Sequence, residues 1–216
     1  MSDNTYKVIS IIGISASFIP MALLILKRLW KENAFLLFAF YWLISGVINI
    51  LDRIPGMTKE TLETITVVYN MLDMPFVLGM IFYTTSSLRI RNFTRIAAPG
   101  FLFIQLVNFM VRGWHYDAAK YVLALGLILV LFVVTWEISL YMSKLEHSRD
   151  EKAMIFIHVS LLFAYGTFVI IYIFDYYINI GASSVGNFIV YYISTFIAIM
   201  IASIGYFTKS SRRTLI

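Results

Sequence analysis

The stretch TITVVYNMLDMPFVLGMIFYTTSS, residues 64–87, is an apolar run of membrane-spanning length with a carboxylate near its middle. A charged Asp73 halfway across a bilayer costs about 2.5–3.5 kcal/mol on insertion scales, so such a residue normally faces the inside of a helix bundle and suggests a site. Pro75 follows closely and removes one helical hydrogen bond, which can kink the helix. The run therefore predicts a transmembrane helix with a polar point inside a bundle.

The composition indicates that lipid is the solvent of this chain. Of its 216 residues, 60% are hydrophobic and only 13% are charged, whereas a soluble domain carries about 25% charged residues. The net charge of +5 comes from basic residues between the apolar runs. Basic residues in short loops set the orientation of a membrane protein, which explains the positive charge without a nucleic-acid partner. We therefore expect no nucleic-acid partner. The absence of cysteine excludes disulfides, thiolate metal sites and cysteine nucleophiles.

Seven apolar runs are long enough to cross about 30 Å of hydrocarbon as helices. Their continuous apolar character, without alternation, argues against a closed barrel of strands. Short connections leave no room for a soluble module, so we predict an all-α membrane protein with one domain, residues 1–216, folded as a bundle of seven transmembrane helices. The predicted segments 1 to 7 are 8–26, 34–51, 64–87, 96–111, 121–142, 153–174 and 187–207.

The distribution of lysine and arginine predicts the orientation, because cytoplasmic loops carry an excess of basic residues. With the N-terminus outside and the C-terminus cytoplasmic, the inner loops hold most of the 17 basic residues. We expect a multi-pass protein of the cell membrane, the bacterial inner membrane, with a cytoplasmic partner at its basic inner face. The predicted inner residues are Lys27, Arg28, Lys31, Arg89, Arg91, Arg95, Lys144, Arg149, Lys152, Lys209, Arg212 and Arg213.

Polar residues recur at helical spacing along segments 2, 3, 4 and 7 and lie in the predicted outer half. Because polar stripes that face lipid are costly, these faces should point inward together and line a ligand cavity. Asp73, about 15 Å from the outer surface, would form its floor. Each amide or hydroxyl could instead join two helices by a hydrogen bond, and Asp52, Arg112 and Asp175 could be surface charges. The predicted ligand-binding residues are Asp73, Asn70, Tyr69, Asn49, Asp52, Gln105, Asn108, Arg112, Asp175, Asn187 and Thr195.

A second pair of polar residues is predicted nearer the inner surface. Glu137 on segment 5 and His158 on segment 6 each lie about 10 Å below that surface, on helices joined by a short loop. A hydrogen bond between them would create a proton-linked pair for a relay or a switch. The alternative is a clamp that only holds two helices together.

Three classes of function are compatible with these residues. The first is a receptor-like or sensory protein that binds an unknown small ligand at Asp73. The second is a small-molecule transporter or proton-coupled carrier that uses Asp73 and the Glu137–His158 pair. The third and least favoured is a membrane enzyme that combines Asp73 with Asp52 or Asp175. We assign no catalytic or metal-binding residue, because no hydrolase, metalloprotease or phosphate-loop motif occurs.

The size, the seven segments and the run Tyr69-Asn70-Met71-Leu72-Asp73-Met74-Pro75 resemble the microbial rhodopsins, whose third helix carries an acid as counter-ion or proton acceptor. That resemblance implies a rhodopsin-like topology. The family forms its retinal Schiff base on a lysine of the seventh helix, and segment 7 contains none, since Lys209 lies beyond it. We therefore expect no covalent retinal and no other cofactor. Small sugar transporters and cargo receptors share the topology, but their Pro-Gln motifs are missing here.

Overall fold

A computed structural model describes residues 3–51, 53–174, 177 and 185–209 of the chain. Every regular element in these ranges is helical, and seven helical spans are long and apolar enough to cross a membrane. The predicted seven-helix bundle is therefore confirmed. The helices are α1 (Asp3–Ala16), α2 (Ile19–Leu26), α3 (Asn33–Leu51), α4 (Lys59–Thr84), α5 (Leu88–Arg112), α6 (Tyr116–Met142), α7 (Arg149–Ile173) and α8 (Val185–Thr208).

The first span consists of two helices, which the sequence did not predict. Helix α1 ends at Ala16 and α2 begins at Ile19, so that Pro20 stands in the first turn of a new helix. Proline is tolerated at that position because the first amides of a helix have no intrahelical acceptor. By contrast, α4 continues through Pro75 without interruption.

Helix α5 is longer than the predicted segment 4. It begins at Leu88, where the Ser87 side chain caps it by accepting a hydrogen bond from the Ile90 amide at 3.4 Å. Arg91 donates a hydrogen bond to the Thr85 carbonyl oxygen at 2.7 Å, which gives a backbone acceptor between α4 and α5 its partner. The prediction that Arg91 and its basic neighbours lie in a loop is therefore wrong, because these caps extend the helix.

The seven spans alternate in direction. We call the end of the bundle at which α1 begins the N-side, and the opposite end, where α8 ends, the C-side. Helices α3, α4, α6, α7 and α8 form a ring that α1 and α2 close between α8 and α3, while α5 packs outside against α4 and α6. Helices α3 and α4 pack only weakly or not at all against the backbones of α7 and α8. Side chains, rather than close backbone contacts, therefore meet across the centre of the ring.

Two cations cap the C-side end of α8. The Lys27 ammonium donates to the carbonyl oxygens of Tyr206 at 2.9 Å and Phe207 at 3.0 Å. The Arg149 guanidinium donates to the carbonyl oxygen of Thr208 at 2.8 Å. The last carbonyls of a helix lack intrahelical donors and carry partial negative charge, so both contacts stabilise this end. Burial and the nearby charge of Arg149 lower the pKa of Lys27.

A three-residue ion cluster joins the same end of the bundle. The Lys209 ammonium lies 2.9 Å from a carboxylate oxygen of Glu32 and 2.9 Å from one of Asp150. Burial alone would lower the pKa of Lys209, but hydrogen bonds and charge attraction from Asp150 and Glu32 raise it above its ordinary value. The cluster ties α8 to the beginnings of α3 and α7.

Helices α7 and α8 pack closely at Gly205. A Cβ atom added there would lie 2.6 Å from the carbonyl oxygen of Ala153. Membrane helices commonly pack through small residues, since lipid supplies no hydrophobic force between helices and close van der Waals contact must replace it. Gly205 and Ala153 together supply that close contact.

Candidate functional site

Asp73 lies at the middle of the bundle and faces the centre of the ring. At 1.5 Å per residue it is about 21 Å along α4 from Lys59 and about 16 Å from Thr84. Its surroundings are four tyrosines from four helices, which we call the tyrosine cluster. They are Tyr41 on α3, Tyr69 on α4, Tyr165 on α7 and Tyr191 on α8.

The Asp73 carboxyl group lies among tyrosine hydroxyls, one of which is directly hydrogen-bonded to it. The Tyr165 hydroxyl donates to Oδ2 at 2.7 Å and lies 3.3 Å from the Tyr41 hydroxyl. The hydroxyls of Tyr69 and Tyr41 also approach the carboxyl group closely enough to interact with it. Oδ1 is covered from solvent, yet it has no hydrogen-bond partner among the described residues. A buried polar atom without a partner is uncommon and calls for an explanation such as a bound group.

The polar contacts continue from Asp73 toward the N-side. The Tyr191 hydroxyl lies 3.5 Å from the Ser45 hydroxyl and accepts a hydrogen bond from the Asn49 amide at 3.1 Å. Ser45 and Asn49 fall one and two turns beyond Tyr41 on α3, so one stripe of this helix serves the whole network. Tyr69 also approaches Ser45. The network therefore rises by about two helical turns from the middle of the bundle.

Four residues of this network are only partly buried, and we call the narrow space that their exposure indicates the crevice. Asp73, Tyr69, Asn49 and Tyr191 each keep partial exposure although they face one another across the ring. Since the backbones of α3 and α4 make few or no close contacts with those of α7 and α8, we interpret this exposure as a narrow space between the two pairs of helices. Tyr41 and Tyr165, deeper in the bundle, are buried.

On the C-side of Asp73 the interior is closely packed and mainly apolar. The next two turns of α4 place fully buried side chains into the core, and α3, α7 and α8 meet them with fully buried aliphatic and aromatic groups. This layer separates the crevice from the C-side loops. Its central side chains are Val77, Leu78, Ile81, Phe35, Phe38, Ile157, Leu161 and Ile199.

Part of the predicted cavity lies in a different place. Asn70 precedes Asp73 by three residues, which turns it by about 60° around the helix axis, toward α5 and α6. There it borders a small pocket with Gln105 and Asn108, whose volume of about 10 Å³ corresponds to one water molecule. The Asn108 amide donates to the Ala118 carbonyl oxygen at 2.8 Å, whereas the side-chain oxygen of Gln105 has no partner among the described residues. These three residues do not join the Asp73 crevice.

The remaining predicted residues are distributed as follows. The Thr195 hydroxyl lies near the Tyr191 hydroxyl and belongs to the edge of the network. Arg112 is exposed at the N-side and stacks on Tyr121, with its guanidinium carbon 3.8 Å from the ring centre. Asp52 and Asp175 lie outside the described residues, and so does the side chain of Asn187.

Glu137 and His158 do not form the expected hydrogen bond. Both are largely buried, but within the described ranges no hydrogen bond or ion pair joins them. Glu137 lies beside Thr85, at the C-side end of α4, and one of its carboxylate oxygens has no partner among the described residues. Equal depth on neighbouring helices did not bring the two side chains together, because Glu137 turns toward α4. A proton-linked role for this pair stays a prediction.

Sequence reasoning missed Tyr41 and Tyr165 as members of the site. Tyr41 stands between Phe40 and Trp42 and looks like part of an aromatic packing surface. Tyr165 is one of many aromatic residues on α7 and α8 and looks equally like a packing residue. The available signal was spacing: Tyr41 stands four residues before Ser45, so it continues the polar stripe of α3 by one turn.

Comparison of the chain with protein-family models, with curated proteins and with solved structures gives no match. The resemblance to the microbial rhodopsins therefore stays one of topology and of a single short run of residues. Because topology alone does not determine function, the argument for function has to come from the chemistry at Asp73.

Proposed function

We propose that this integral membrane protein is receptor-like and binds a small ligand in the crevice at Asp73. The observation that carries the proposal is the covered Oδ1 of Asp73, which has no partner among the described residues. This oxygen lies at mid-membrane depth, where an unsatisfied polar atom is costly. A ligand that donates a hydrogen bond to Oδ1 would remove that cost.

The asymmetry of the bundle favours a receptor over a carrier. Polar contacts lead from Asp73 toward the N-side through Tyr191 and Asn49. On the other side, α4 presents Val77, Leu78 and Ile81, which are fully buried in a mainly apolar layer. A ligand can thus reach Asp73 from the N-side, whereas a carrier would have to open the closely packed layer to release its substrate on the C-side.

A proton-coupled carrier is the second candidate. Its support is that the groups around Asp73 are neutral hydroxyls. Such a carboxyl group gains or loses a proton without a fixed counter-charge, which suits coupling between a proton and a substrate.

Ligand-induced thermal stabilisation in lipid nanodiscs tests the proposal. A chemically mixed library of small cations, neutral polar molecules and anions is screened against the wild type, Asp73→Asn and Glu146→Gln. Glu146 is an exposed loop acid and serves as the matched control. We expect at least one compound that stabilises the wild type and Glu146→Gln but not Asp73→Asn. If every stabilising compound acts equally on all three proteins, the proposal is wrong.

Uptake into vesicles separates the two candidates. A compound that stabilises the protein in the screen is added outside proteoliposomes, with and without a pH gradient across their membrane. A receptor binds the compound without moving it. Gradient-driven uptake that Asp73→Asn abolishes would assign the carrier function in place of the receptor.

The proposed orientation places the N-side outside and the C-side in the cytoplasm, where the basic face would contact a signalling partner. Because the chain has no cysteine, single substitutions such as Ile54→Cys on the N-side and Leu145→Cys on the C-side give labelling sites at exposed positions. In intact cells, a membrane-impermeant maleimide should label Ile54→Cys and spare Leu145→Cys. The reverse pattern would invert the orientation.

A further inference from the structure

In the part of the chain that the structure describes, no positive charge lies at the Asp73 site. Among the described residues no lysine, arginine or histidine forms an ion pair with Asp73, and its interacting neighbours are the hydroxyls of Tyr165, Tyr69 and Tyr41. Hydroxyl groups donate hydrogen bonds to a carboxylate but do not neutralise its charge. Uncompensated charge inside a membrane bundle is costly, so an acid there either holds its proton or pairs with a cation, and a bound cationic ligand would stabilise the charged form.

Aromatic rings stand around this carboxyl group. Phe168 stacks on Tyr191, with ring centres 5.5 Å apart and an interplanar angle of 22°, and it meets Tyr165 edge to face at 5.4 Å. On the opposite side of the ring of helices, Tyr41 stacks with Phe76 at 6.2 Å. Aromatic faces attract cations, and the attraction is strongest where water is excluded.

The donor set also restricts the kind of cation. Divalent metal ions require several carboxylate or carbonyl oxygens at close range, and Asp73 is the only carboxylate that the described part of this network contains. An anion would be repelled by Asp73. A singly charged group that combines hydrogen-bond donors with an apolar body matches both the Oδ1 atom and the aromatic walls.

We propose that the crevice at Asp73 takes a small organic ammonium ion, whose N–H groups bind Oδ1 of Asp73 while its carbon skeleton lies against the tyrosine cluster. This inference rests on the proposed function and narrows it to one class of ligand. The ammonium group supplies the counter-charge, and entry from the N-side places it next to Tyr191 and Tyr69 before it reaches Asp73.

Matched pairs of probes test the charge requirement on the unaltered protein. Ethylammonium, butylammonium and 2-phenylethylammonium chlorides are each compared with the alcohol of the same skeleton, by thermal stabilisation in nanodiscs. We expect at least one ammonium ion to stabilise the wild type at a concentration at least 30-fold lower than its alcohol, roughly the effect of one paired buried charge. Equal potency of ammonium ion and alcohol throughout the series would overturn the inference.

Variants then test whether the effect depends on Asp73. Asp73→Asn should weaken binding of the ammonium ion by about 30-fold or more. Glu146→Gln, the exposed control, should leave the affinity for the ammonium ion unchanged. If Asp73→Asn no longer distinguishes the ammonium ion from its alcohol, the inference is supported. This holds even if the variant is less stable, because the two compounds are compared on the same protein. Unchanged ammonium binding in Asp73→Asn would refute it.

The outcomes distinguish this inference from the proposed function. A neutral or anionic compound that binds in an Asp73-dependent way would leave the receptor function standing and reject the ammonium ligand. Stabilisation by sodium chloride relative to choline chloride, with no effect of the organic probes, would assign an inorganic ion instead. If no compound depends on Asp73, both proposals fail.

Discussion

Replacing Gly205 by alanine tests the helix packing that positions α8. The added Cβ atom would lie 2.6 Å from the carbonyl oxygen of Ala153, whereas ordinary contacts begin at 3.4 Å. Helices α7 and α8 would have to separate by about 0.8 Å at this point, and a backbone carbonyl cannot move aside as a flexible side chain does. Overpacking of this kind costs about 1–3 kcal/mol.

Gly166→Ala is the matched control, because it makes the same chemical change within α7, and among the described residues no atom of another helix lies within 4 Å of the new methyl group. Both variants exchange glycine for a better helix former, which alone favours the helix by about 1 kcal/mol in each case. The difference between the two free energies of unfolding therefore isolates the clash and should be about 1–3 kcal/mol.

The measurement is reversible unfolding of both variants in mixed detergent micelles, followed by circular dichroism. We expect Gly166→Ala to be as stable as the wild type or more so, and Gly205→Ala to be less stable than Gly166→Ala. Stabilities that agree within about 0.5 kcal/mol would refute the reasoning. In that case the two helices would be able to separate at little cost.

Three further predictions concern the polar contacts. Tyr165→Phe removes the hydroxyl that donates to Asp73 and should destabilise the protein by about 1.5–3 kcal/mol; a double-mutant cycle with Asp73→Asn that gives no coupling would contradict this. The pKa of Lys209 is raised in the folded protein, so its ion cluster stabilises the fold below the unfolded pKa, about 10.4, and loses this effect as pH rises through the folded pKa. A pH titration of unfolding from 8 to 12 should therefore show the stability difference between the wild type and Lys209→Gln disappearing at the alkaline end; a difference that persists there contradicts the prediction. Ser148→Ala breaks the capping box in which the Ser148 hydroxyl accepts from the Glu151 amide at 3.1 Å, and it should cost about 1 kcal/mol in the same unfolding assay, whereas an unchanged stability would show that the cap contributes nothing.

The sequence was sufficient for the fold because apolar length decides it. Each of the seven runs supplies enough hydrophobic residues for a span, and no local detail could reverse that. Local details did decide the helix ends. The break after Ala16 depends on how Ser17 and Phe18 join two helices, and the start of α5 depends on the Ser87 cap. Neither feature changes the hydropathy from which the spans were predicted.

The site was only partly predictable, because position along a helix gives depth more reliably than direction. Asp73 and Asn70 have similar depths, but the turn of about 60° between them sends one to the central crevice and the other to α5 and α6. Tyr41 and Tyr165 carry one hydroxyl on a large apolar ring, so the sequence alone does not distinguish a packing role from a polar one. Only the arrangement of helices around the ring brings their hydroxyls to the same carboxyl group.

The apolar layer below Asp73 has an electrical consequence. From Asp73 to Thr84 the layer is about 16 Å thick along α4, roughly half of the 30 Å of a lipid core. If water fills the crevice above it, the membrane voltage falls mainly across this layer, and the local field is about twice that in the surrounding lipid. A cation that reaches Asp73 from the N-side then crosses little of the voltage. One that continues to the C-side crosses nearly all of it, about 2.3 kcal/mol per 100 mV. Binding would be electrically silent and transport would carry current.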